Sequence, residues 1–175
     1  MRHTTRSSLE VAIPKRPLHI IVAAARPLTL REMALALTIR ENHQSYNDLD
    51  LKSQDWFREN IRNVWLFVTI IGSRICLLHQ TAKEFLIQND QEIRHESPHG
   101  GLKWKHSLQP QDSHRILTEI RTRYRLFAEF AANPNDTMLS RYVASHVFLG
   151  YPAKHWTTHL HASGIEVDTI HAEIM

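Results

Sequence analysis

The sequence predicts a mainly α-helical protein that carries one β-hairpin, and three patterns lead there. Apolar residues recur at helical spacing through most of the chain. One stretch from residue 66 is instead rich in β-branched residues and alternates between two faces. Gly72-Ser73 splits that stretch in two, as the two-residue loop of a hairpin with Gly at its first position.

The elements follow in order. Residues 1–15 show no periodicity and are expected to form a flexible tail, with order beginning near Pro17. Leu18, Ile21, Val22 and Ala25 mark one helix face, and Arg26-Pro27 stops it, because the residue before proline is driven out of the α region. Thr29 and Glu32 then make a capping box, flanked by Leu28 and Met33 at staple positions, and the stripe continues through Leu30, Ala34 and Leu37. The two helices form a helix-turn-helix-like pair. Residues 41–52 are polar and Asn/Asp-rich, as a loop should be. Ser53 can cap a third helix with Phe57, Ile61, Val64 and Trp65 on one face. Closing the hairpin at Gly72-Ser73 sets Ile70 opposite Ile75 and Val68 opposite Leu77. The face they share ends in His79, and Thr81 with Glu84 is a second capping box that would open the next helix. Three helices followed by a β-hairpin predict a winged-helix domain over residues 16–90, with one extra helix after the wing.

Beyond it, Pro98, Gly100 and Gly101 predict a loop over residues 91–111. Ile116, Ile120, Tyr124, Phe127 and Ala131 share a face of a long helix from about Asp112, ended by Asn133-Pro134-Asn135-Asp136. Two further helical segments are expected. One carries Leu139, Tyr142, Val143 and Phe148; the other follows Gly150-Tyr151-Pro152, carries Ala153, Trp156 and Leu160, and ends at Gly164. Residues 112–164 thus read as a helical extension, and 165–175 as a tail.

Composition limits the chemistry. At 175 residues with 42% hydrophobic and 22% charged, the chain can bury one core or two small ones. No apolar run approaches the roughly 20 residues of a membrane helix, and the first residues lack a signal-peptide core, so a cytoplasmic location is the expectation. The single cysteine, Cys76, falls in a strand and reads as a packing residue. A net charge of +3 with 13 histidines is a weak basic excess. The sequence holds no GxxxxGK[ST], GxGxxG or GxSxG pattern. His155 and His159 have the i, i+4 spacing of zinc proteases, but Trp156 stands where their glutamate acts. His95, His99 and His106 lie in the predicted loop without fixed geometry, and Trp104 between Lys103 and Lys105 is expected to face solvent. No catalytic residue and no metal ligand is assigned, and the chain is read as no enzyme.

Four strings bring a family into view: LHIIVAAARPLTLREM (18–33), LFVTIIGSRICLLHQTAKEFL (66–86), SHRILTEI (113–120) and YPAKHWTTHL (151–160). Together they resemble the segment after the nucleotide-binding NACHT domain in fungal NOD-like receptors, the STAND NTPases linked to heterokaryon incompatibility. The resemblance spans about residues 16–164. It implies the winged-helix region often described as the GPI inositol-deacylase type, followed by a helical linker to ankyrin or other repeats. The hydrolase in that label implies no activity here. The P-loop and Walker B elements of the family have no counterpart in this sequence, so the chain resembles a middle piece of such a receptor. Where similar proteins read Glu-Ile-Cys, this chain has Glu119-Ile120-Arg121, which sets a charge on a usually less polar face.

The resemblance implies a role for His79. In related receptors a histidine at the end of the wing, within a Met-His-Asp motif, touches the β-phosphate of bound ADP; here the position reads Leu78-His79-Gln80. An imidazole N–H can donate to a phosphate oxygen. The competing assignment is a core histidine bonded to backbone. As a sensor it would meet ADP or ATP only through a NACHT domain, and the chain itself is expected to hold no cofactor. The functional expectation is a non-catalytic regulatory module whose partners are a NACHT domain and a repeat region. The alternatives are a free-standing winged-helix nucleic-acid binder, for which Arg58 and Arg62 beside Asp55 and Glu59 are thin support, or a truncated receptor remnant with no separate role.

Overall fold

The computed structural model describes residues 15–64, 66–87, 104–127, 148 and 150–165, with the backbone alone at 60–64 and 152–153. They form a mainly helical protein with one two-stranded antiparallel hairpin. The order is α1 (Lys15–Ala23), α2 (Leu30–Thr38), a 3-10 turn (Tyr46–Asp48), α3 (Gln54–Val64), β1 (Val68–Ile71), β2 (Arg74–Leu77), α4 (Gln80–Leu86), α5 (Pro110–Arg125) and α6 (Gly150–Ser163).

Helix α1 opens before Pro17, which lies in its first turn, where a missing N–H leaves no helical bond unmade. It closes at Ala23, so Ala25 is an exposed residue outside the helix and not part of its buried face. The physical reason is tertiary: the Ala25 amide donates to the Tyr151 hydroxyl at 2.9 Å. The capping box predicted for α2 is present. Thr29 Oγ1 accepts from the Glu32 amide at 3.1 Å, and Glu32 Oε2 accepts from the Thr29 amide at 2.8 Å. Leu28 and Met33, on either side of that box, are both buried. Ser53 Oγ accepts from the Trp56 amide in the first turn of α3, and Phe57 is buried. The side chains of Ile61, Val64 and Trp65 lie outside the described residues.

The hairpin has the predicted register, Val68 against Leu77 and Ile70 against Ile75, and Gly72 takes the left-handed turn position at φ 62°. One pairing is not legible in the sequence. The connection between α1 and α2 runs beside β2 as a short third rung, with the Leu30 amide donating to Ser73 O and the Ile75 amide to Leu28 O, both at 2.8 Å. Arg74 fastens the same edge by donating to Pro27 O at 3.0 Å. Ile75 is thereby sealed inside the core, a burial worth about 1.5–3 kcal/mol.

Helix α4 begins at Gln80 with His79 as its N-cap, so the predicted Thr81–Glu84 box does not form. The Leu78 amide still donates to Phe67 O, so the chain passes from hairpin to helix without a spare residue. Residues 104–109 then return along α4, with the His106 amide bonded to Phe85 O and the Leu108 amide to Leu86 O. Trp104 packs edge-on against Phe67, with ring centroids 6.4 Å apart, and does not face solvent as a loop tryptophan would.

Helix α5 starts at Pro110, whose ring suits the first helical position, two residues before the expected Asp112. It packs on α1 and on α6. The main core joins these parts: Leu30, Met33 and Leu35 of α2, Ile75 of β2, Ile120 and Tyr124 of α5, and Tyr151 of α6 belong to one buried cluster. A smaller cluster of Leu18, Val22, Leu86 and Leu108 lies under α4. Helix α6 ends as expected before Gly164 at φ 65°, but Tyr151 belongs to its first turn and is buried, not a residue of the preceding break. Arg121 lies 4.3 Å over the Trp156 ring and is half-buried in the α5–α6 seam, where the planar guanidinium can stack. The expected segment with Leu139, Tyr142 and Val143 lies outside the described residues. Among the described residues no helix is long and apolar enough to cross a membrane.

Candidate functional site

His79 stands where β2 gives way to α4. Its backbone is extended (φ −152°, ψ 154°), as an N-cap requires, and its side chain supplies the cap: Nδ1 accepts from the Thr81 amide at 3.2 Å and lies 2.9 Å from Thr81 Oγ1. A nitrogen that accepts carries no proton, so the neutral ring bears its hydrogen on Nε2. The side chain is exposed, which rules out the core histidine considered from sequence. The cap thus engages Nδ1.

Beside His79 lies a surface groove of about 430 Å³, lined by Leu66, Phe67, Leu78, Ala82 and Phe85. Leu66 is 76% exposed and Leu78 64% exposed. Large apolar side chains thus flank His79 on a concave surface.

A second cluster joins α6 to the α1–α2 connection, and sequence reasoning missed it. Arg26 donates through Nη1 and Nη2 to the two carboxylate oxygens of Glu32 at 3.0 and 2.7 Å, and its guanidinium lies 5.0 Å over the Tyr151 ring. Burial pushes the Glu32 carboxyl up, but the bonds from Arg26 and Thr29 outweigh it, and the net shift is downward. The Tyr151 hydroxyl accepts the Ala25 amide and lies 3.0 Å from His159 Nε2. His159 Nδ1 lies 2.9 Å from His114 Nδ1. On α1, His19 Nδ1 meets Ser113 Oγ of α5 at 2.8 Å. Burial first, then the neighbouring His114 and His155, lowers His159 to about 4. Burial, then Lys83, lowers His114, and burial lowers His19.

The i, i+4 pair His155 and His159 therefore serves the interior: His159 is bonded within the core, while the ring of His155 lies 5.0 Å from that of Tyr151. No group of three or more potential metal ligands exists among the described residues. His106 bonds through its amide along α4, and His95 and His99 lie outside the described residues. Cys76 is partly buried within β2. The burial of a histidine at position 159 left a faint trace in sequence, since it falls just over two helical turns from Tyr151 on the face with Leu160 and Ser163, both buried. Neither family models, nor curated proteins, nor solved structures give a match to this chain.

Proposed function

We propose that this chain is the winged-helix and helical-linker part of a STAND-type receptor: a non-catalytic module that carries the nucleotide state of a NACHT domain toward a repeat region. The observation that carries the reading is His79, which caps α4 through Nδ1 and offers Nε2–H beside an apolar groove. A donor held at a strand-to-helix junction suits a phosphate oxygen presented by a neighbouring domain, and the groove suits that domain's apolar surface. The order of three helices and a hairpin, with the α1–α2 connection paired to β2, supports the winged-helix assignment. In such a module the extension must move with the winged helix, and the shared core and the Arg26–Tyr151 contact give it a firm joint. The nucleotide belongs to the partner domain, and the location that follows is cytoplasmic.

The test separates capping from sensing. His79→Ser keeps a capping side chain while removing the imidazole. With a NACHT domain loaded with ADP, the wild-type chain is expected to slow ADP release and the Ser variant to lose that effect. Equal release with both proteins would overturn the reading.

A further inference from the structure

The row of side chains from Ala25 to His114 has a proton count that can be worked out. The Ala25 amide donates to Tyr151 Oη, and the Tyr151 O–H can donate to His159 Nε2. His159 then carries its proton on Nδ1 and donates to His114 Nδ1. Every contact is satisfied when both histidines are neutral. One added proton can still be accommodated if the tyrosine hydroxyl turns to accept from Nε2. Two cannot, because both Nδ1 atoms would bear hydrogen across a 2.9 Å contact.

The surroundings do not favour added charge. Arg26 lies over Tyr151, Lys83 of α4 acts on His114, and His155 of α6 acts on His159. On α1, His19 bonds Ser113, the residue before His114, and Lys15 and Asp112 act on it. The carboxylate on the Tyr151 side, Glu32, has its oxygens engaged by Arg26 and Thr29. His159 itself is only 3% exposed. We infer that Tyr151, His159 and His114 form an acid-sensitive latch, which holds α6 to α5 and to the α1–α2 connection while neutral and releases it when both histidines take up protons.

This inference does not depend on the receptor reading. The latch bonds cross from residue 25 to 151 and from 114 to 159, so their loss frees one face of α6 without removing any bond inside a helix. Acid favours the open form, since an imidazole freed to solvent titrates near 6.5 and His159 in the closed form near 4.

The experiment follows histidine ring and backbone amide signals by NMR from pH 7.5 to 4 in the full chain. The expected result is that His114 and His159 remain neutral below the free-imidazole range and then titrate together with loss of Ala25 amide protection. Below that range the opening equilibrium should rise at least about tenfold per pH unit, as uptake of one proton or more requires. The helical circular-dichroism signal should persist through the change. His114→Asn, which keeps a side-chain partner for His159 but cannot charge, should move the His159 titration upward. Ala25 protection that survives titration of both rings would overturn the latch. So would loss of protection only together with the helical signal, or a His159 titration unmoved in His114→Asn.

Discussion

Glu32→Ala is the substitution from which the structure predicts the largest loss at the joint. Glu32 is 3% exposed and accepts three bonds: two from Arg26, at 3.0 and 2.7 Å, and one from the Thr29 amide at 2.8 Å. Truncation deletes half of the capping box and leaves Arg26 without its counter-ion. A fully buried pair broken in this way loses about 3–5 kcal/mol, but Arg26 is 35% exposed and can rehydrate, so about 2–4 kcal/mol is expected. Thr29→Ala removes only the hydroxyl side of the box and should cost about 1 kcal/mol. Glu32→Gln keeps the volume and an acceptor for the Thr29 amide, and falls between the two. In a chain of this size each kcal/mol moves the melting temperature by about 2–4 °C, so Glu32→Ala should melt about 4–16 °C lower. The assay is a thermal melt at pH 7, where the carboxylate contribution is fully present. Because the folded-state pKa of Glu32 is depressed, that contribution is lost only as pH falls below the ordinary carboxylate range. A Glu32→Ala variant that melts no lower than Thr29→Ala would refute the assignment of this pair as the principal polar contact of the joint.

The pH dependence of stability has a second component of the same sign. His159 is lowered by burial to about 4, so its stabilisation is present above about 6.5 and is lost as pH falls toward 4. At about 1.4 kcal/mol per pH unit this interval amounts to at most about 3.5 kcal/mol, and less where water reaches the ring; a series of chemical melts between pH 7 and 4 measures it. Gly72→Ala meets no neighbouring atom but must hold a left-handed φ of 62°, so about 1–2 kcal/mol of backbone strain should appear in the same melt. His79→Ala removes the α4 cap and should cost about 0.5–2 kcal/mol, whereas His79→Ser should retain most of that stability. Calorimetric titration of the isolated chain with Mg-ATP or ADP should show no binding, since the sequence contains no phosphate-cradling loop.

Local rules made the hairpin and the α2 cap legible. A period-2 pattern around Gly72 leaves one register in which Ile70 and Ile75 share the core side, and Thr29 needs only Glu32 three residues on to form its box. The same rule failed at α4, where Thr81 and Glu84 have the right spacing but the chain enters the helix straight from β2, leaving His79 at the cap. The joint was illegible for a different reason. Its partners are separated by 45 residues between His114 and His159, and by 126 between Ala25 and Tyr151, so no local pattern announces them. Two histidines one turn apart on α6 suggest a metal or a solvated face until Tyr151 and His114 are placed against them. Trp104 was hidden similarly, because a lysine-flanked loop tryptophan gives no sign of the Phe67 ring it packs against.

His79 holds α4 through Nδ1, and in the proposed receptor role its other nitrogen donates to a nucleotide phosphate. The most direct measurement is the rate of ADP release from an ADP-loaded NACHT domain in the presence of wild-type chain or His79→Ser, with the melting temperature of each chain determined alongside. The account predicts nearly equal melting temperatures and faster ADP release with His79→Ser. Equal melting temperatures with identical release rates would contradict it and leave His79 as the cap of α4 alone.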